Sequence, residues 1–198
     1  RKLNMKLWQA DAMDNLGYAL KRMGKFPQAL TYLLEGVKIA TNPESEKNIF
    51  RIAKFSQKSI PRIARLTVLG NLNLDLGNLH NSAFNIDKKF YYYQEAKKIA
   101  ESIGEERLLS MVCMNIGNTY LDMNKPDSAL AYELNALKYS DRSGFRMYYG
   151  LTLIYLGNIY STKEDFGTAK KYYNESIQVN KDLNNLSYLA ESYIALTN

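Results

Sequence analysis

Three asparagines stand forty residues apart, each directly after a glycine: Asn78 in Leu76-Gly77-Asn78, Asn118 in Ile116-Gly117-Asn118 and Asn158 in Leu156-Gly157-Asn158. An asparagine amide carries donor and acceptor on one planar group. A row of them can pair with the N–H and C=O groups of an extended peptide whatever its side chains are. Residues that make and break covalent bonds are sparse by comparison. The chain has one histidine, His80, and one cysteine, Cys113. A lone imidazole and a distant thiol supply neither a metal-ligand set nor a nucleophile with its base. The eleven glycines are spread one per turn or helix crossing, not gathered into a phosphate-binding loop. The expectation is a chain that binds, with no catalytic residue, no cofactor and no metal.

These asparagines belong to a repeat. A fourth glycine, in Leu16-Gly17-Tyr18, lies sixty residues before Gly77, the regular spacing plus about twenty inserted residues. Ala96 and Ala136 repeat at forty, as do Gly104 and Gly144, and a small residue recurs twelve past the glycine at Ala29, Ala129 and Ala169, with Lys89 the exception. Apolar periodicity with turn residues between predicts helix pairs at 5–23 with 26–40, 62–82 with 86–102, 105–123 with 126–141, and 146–162 with 165–182. Pro27 and Pro126 sit where a helix opens and a missing N–H costs little. A last helix begins near Asn185, apolar around much of its circumference, which reads as a piece cut from a longer stack. Cys113 falls on an apolar helix side as a small buried hydrophobe. His80 takes a packing position, and Tyr91-Tyr92-Tyr93 should point one ring to the core, one sideways and one to solvent. Asn174-Glu175-Ser176 and Asn185-Leu186-Ser187 fit the glycosylation pattern but lie in predicted helices.

Residues 41–61 interrupt the register. A short helix is expected over 47–59, with Arg51, Lys54 and Lys58 at helical spacing and Ile49, Ile52, Phe55 and Ile60 interleaved. It reads as the solvated face of an insertion packed on the stack, with an anionic membrane surface or an acidic partner as the alternative.

The offsets of Leu, Gly, an aromatic and Ala, best kept at Gly157, Tyr160, Phe166 and Ala169, resemble the tetratricopeptide repeat. The resemblance covers residues 5–198 apart from the insertion. It implies an all-α, right-handed superhelical solenoid of antiparallel helix pairs, one unit over 1–198 with repeats at 5–40, 62–104, 105–144 and 146–184 and a partial repeat at 185–198. The period is longer than the family's usual one of about 34 residues and is similar to the extended form found in scaffold and bacterial signalling proteins.

In a helix pair of this type the first helix lines the concave wall. Positions at glycine minus six, minus three, plus one, plus four and plus five share that side. In the first copy these are Asp11, Asp14, Tyr18, Lys21 and Arg22. In the later copies they give the asparagine ladder and, for specificity, an apolar strip of Leu74, Met111, Met114, Leu121, Leu151 and Ile154 beside Asp122, whose methionines can adapt to a partner. The resemblance implies that Asn78, Asn118 and Asn158 hold a peptide backbone. The alternative is that they bridge first helices within the molecule. A carboxylate clamp needs Lys at glycine minus three, where this chain has Asp14, Leu74, Met114 and Ile154.

Charge excludes other partners. The net +6 arises in residues 1–60, with eleven Lys or Arg against five acids, while residues 61–198 carry fifteen of each sign. A nucleic-acid surface would run its basic face through the domain. No apolar run approaches a membrane span. The lack of a disulfide fits a cytoplasmic protein and does not exclude a periplasmic one. The reading is a protein- or peptide-binding module, the sensory or regulatory part of a larger bacterial signalling protein. A self-association module without a peptide ligand is the alternative.

Overall fold

The computed structural model describes residues 5–47, 60–80 and 85–197, together with the backbone of residue 81. Among these there is no strand. The helices are α1 Lys6–Arg22, α2 Phe26–Thr41, α3 Pro61–Asn81, α4 Ile86–Ile103, α5 Glu106–Asp122, α6 Pro126–Arg142, α7 Arg146–Thr162, α8 Phe166–Asp182 and α9 Leu186–Thr197. Every boundary lies within a residue or two of the one expected from periodicity, because the turn residues fix it. Gly24, Gly104 and Gly144 adopt the left-handed φ of 73°, 67° and 67° that ends a helix without steric cost. Asn124, Glu164 and Asn184 take the same conformation at the corresponding turns, with φ of 56°, 61° and 51°.

The helices fall into two compact units divided after Leu108. In the first, α1 to α4 bury Leu7, Ala10, Leu33, Val68, Leu72, Leu76 and Leu79 in one core. A Cβ added at Gly36 would stand 2.7 Å from a Leu72 methyl, so α2 and α3 approach as closely as a hydrogen allows. A 3-10 turn, Pro43–Glu46, follows α2. Arg65 of α3 is internal. Its Nε donates to Glu46 Oε1 at 2.7 Å and its Nη1 to the Ala40 carbonyl at 2.9 Å, which ties the turn and the end of α2 to α3. Arg51, Lys54 and Lys58, and the helix expected there, lie outside the described residues.

In the second unit, Cys113, Met114, Ala136, Leu151 and Ile154 form a core flanked by Tyr132, Tyr139, Tyr148, Tyr155 and Tyr188. A buried polar knot joins its last three helices. Ser176 of α8 donates to the Gly150 carbonyl of α7 at 2.8 Å and shares a 2.9 Å hydrogen bond with Ser192 of α9. Small residues sit where helices cross: Ala29, Ala129 and Ala169 are buried. Lys89, the exception, is buried too and points its ammonium over the Tyr93 ring at 6.0 Å. His80 stacks on Tyr92 with ring centroids 5.4 Å apart, as Tyr120 does on Tyr132 at 5.6 Å and Tyr160 on Tyr172 at 5.5 Å. The imidazole therefore fills an aromatic slot of the repeat, and burial lowers its pKa. Tyr91, Tyr92 and Tyr93 are exposed, half-buried and buried respectively.

Candidate functional site

Each repeat glycine is the floor of a contact with the side chain sixteen residues later. A Cβ at Gly17 would lie 2.5 Å from Leu33 Cδ2, one at Gly117 would lie 2.5 Å from Glu133 Oε1, and Gly77 and Gly157 are covered in the same way by the rings of Tyr93 and Tyr173. The residue after the glycine thus stands beside whatever the second helix lays across it. Tyr93 donates its hydroxyl hydrogen to Asn78 Oδ1 at 2.8 Å, and Tyr173 does the same to Asn158 Oδ1 at 2.8 Å. Asn78 also donates to Asp75 Oδ1 at 3.1 Å, so both ends of that amide are engaged within its own unit. In Asn158 the oxygen is taken and its orientation fixed, which leaves the N–H donors for a partner. At Asn118 the same offset brings Glu133 in place of a tyrosine.

The tyrosine bonds escaped the sequence reading, although the spacing of fifteen between Asn and Tyr is kept in two copies. They change the meaning of the ladder. The amides are not only outward groups; Asn78 and Asn158 join first to second helix inside a repeat.

The apolar strip needs a larger correction. Leu74, Met114, Leu151 and Ile154 are 3%, 5%, 6% and 1% exposed, so they are core and not an open recognition surface. Leu74, Met114 and Ile154 all occupy glycine minus three. In the second unit, Met114 packs in one cluster with Leu151 and Ile154 of the neighbouring first helix, which explains the burial. Met111 and Leu121 remain half-buried and Asp122 exposed. The accessible part of the expected site in this unit is therefore Met111, Asn118, Leu121, Asp122 and Asn158.

A cavity of about 390 Å³ opens between α7 and α9, lined by Ile154, Asn158, Ser161, Thr162, Tyr173, Glu191, Ile194 and Ala195. Asn158 of α7 and Glu191 of α9 both line it. Burial raises the pKa of Glu191. In the first unit a recess of about 400 Å³ lies between α1 and α2, lined by Lys6, Gln9, Met13, Glu35, Lys38, Ile39 and Asn42. Asn78 is not among its walls. Among the described residues no group of three His, Cys, Asp or Glu is placed to hold a metal ion, and no helix is long and apolar enough to cross a membrane.

Residues 9–42 and 152–183 each match the tetratricopeptide repeat. No curated protein matches the chain. In fold it is similar to the crystal structure of BtubC from P. vanneervenii, with a TM-score of 0.72 at 18% identity over 94% of this chain and 71% of that one. It is also similar to a Signal Transduction ATPase with Numerous Domains carrying a tetratricopeptide repeat sensor, from Pyrococcus horikoshii. There the TM-score is 0.57 at 18% identity, over 96% of this chain and 33% of that one. At such identity the likeness is one of fold.

Proposed function

The chain carries tetratricopeptide repeats, an all-α protein-interaction scaffold, and from that premise we propose that it holds an extended peptide or partner segment on the face formed by its first helices. The observation that carries this reading is Asn158, an amide oriented by the Tyr173 hydroxyl at the wall of a cavity with its donors unspent. Such a donor reads peptide carbonyls irrespective of sequence. In the second unit Asn118, Met111, Leu121 and Asp122 extend the same face along α5. Asn78 would contribute less, since its oxygen and nitrogen are both bonded internally. The role in a larger signalling protein, as its sensory or regulatory part, is supported by the likeness to a protein whose tetratricopeptide repeats form a sensor.

The test is binding of a random nonapeptide pool to the domain and to an Asn118→Ala, Asn158→Ala variant of unchanged helicity. Two lost hydrogen bonds, at about 0.5–1.5 kcal/mol each, should weaken binding about fivefold or more. Equal binding by both proteins contradicts the reading.

A second reading has its own observation. On α9, Leu186, Ile194 and Tyr193 are 71%, 61% and 43% exposed, an apolar surface suited to self-association. A mass that rises with concentration in sedimentation, and falls back for Leu186→Glu, would favour it.

A further inference from the structure

Two adjoining recesses in the second unit carry opposite charge. In the cavity of about 390 Å³ between α7 and α9, the charged residue of the lining is Glu191. A smaller recess of about 280 Å³ is walled by α8 and α9, with Phe166 and Lys170 of α8 and Leu196 of α9 among its residues, and there the charged one is Lys170. Ser161, Tyr173 and Ala195 line both recesses, so the two share a wall. Both charged side chains are exposed. Among the described residues neither Glu191 nor Lys170 belongs to an ion pair, whereas Lys97 is held by Glu101 and Lys163 by Asp127.

The arrangement suits a segment of chain better than a small ion. Each charge shares its recess with an exposed apolar side chain, Ile194 with Glu191 and Phe166 with Lys170. Such surface takes the methylenes of a long charged side chain while its head meets the opposite charge. The Asn158 amide stands in the first recess, where it can hold the backbone. From Glu191 to Leu196 the α9 wall rises about 7.5 Å, the length of roughly two to three residues of extended chain.

Resting on the reading that this face takes an extended peptide, we propose that the bound segment carries one basic and one acidic side chain a few residues apart. The basic side chain enters the α7–α9 recess against Glu191, and the acidic one enters the α8–α9 recess against Lys170. The chain's net charge of +6 does not produce this selectivity. A net positive field draws a doubly acidic segment more strongly than one whose two charges cancel.

The experiment uses four pools of nonapeptides, blocked at both ends and built from uncharged residues except at positions 4 and 7. Those two are fixed as lysine then glutamate, glutamate then lysine, two lysines or two glutamates. Binding to the whole chain at low salt is compared with binding to the single variants Glu191→Lys and Lys170→Glu, changed at exposed sites and checked by circular dichroism. One of the mixed pools should bind the unaltered chain about threefold or more above both like-charged pools. Glu191→Lys should move the preference to the two-glutamate pool, and Lys170→Glu should move it to the two-lysine pool. Pools that bind the unaltered chain alike, or a ranking that fewer than both variants move, overturn the proposal and leave peptide binding standing. If no pool binds, the peptide-binding reading falls and the proposal with it.

Discussion

Glu133 occupies the place that Tyr93 and Tyr173 fill in neighbouring copies and that Leu33 fills in the first. Burial pushes its carboxyl well above the ordinary value of 4.5. The folded state therefore holds this proton more tightly than the unfolded chain does. The stability tied to it is fully present below about pH 4.5 and is lost as pH rises through the folded value. Glu133→Tyr removes that loss and supplies the hydroxyl that Asn118 lacks. Urea unfolding at pH 7 should show the variant more stable by about 1–3 kcal/mol, with a smaller gap at pH 4. A variant less stable at pH 7 contradicts the account. The residue type was visible in the sequence, but its burial was not, because glycine plus sixteen shows itself as a contact only when the second helix is laid over the first.

At the scale of the helix, the repeat glycine is a matter of clearance. Its Cα lies under a side chain of the paired helix, and in Gly157 a Cβ would run into the Tyr173 ring. Gly157→Ala should cost about 1–3 kcal/mol in overpacking and free the Asn158 amide, read as a lower urea midpoint and a shifted Tyr173 environment. The docking of α9 rests partly on the Ser176–Ser192 hydrogen bond. Ser192→Ala should therefore speed amide exchange in α9 severalfold, with α7 and α8 little changed; uniform acceleration across all three would place the effect elsewhere. Helix limits were legible because glycine, proline and asparagine punctuate them at fixed spacing. The apolar strip was misread for a physical reason. Glycine minus three and glycine plus one lie four residues apart, on nearly the same side of the helix, yet in the second unit Met114 meets Leu151 and Ile154 of the next first helix while Asn118 stays only half-buried.

Across the whole chain, composition pointed away from chemistry and toward binding, and repeated spacing pointed to the tetratricopeptide repeat that residues 9–42 and 152–183 match. Both follow from features that one sequence displays: few nucleophiles, and self-similarity. Which amides are left to a partner was not legible, since it depends on hydroxyls fifteen residues away closing onto them. The most direct test of peptide binding by the first-helix face is nuclear magnetic resonance of the asparagine side-chain NH₂ groups while the tightest nonapeptide from the random pool is added. The account predicts that the Asn118 and Asn158 signals move together with peptide concentration while Asn78, bonded at both ends, moves least. Unmoved Asn118 and Asn158 signals, with changes confined to the exposed side of α9, would contradict it.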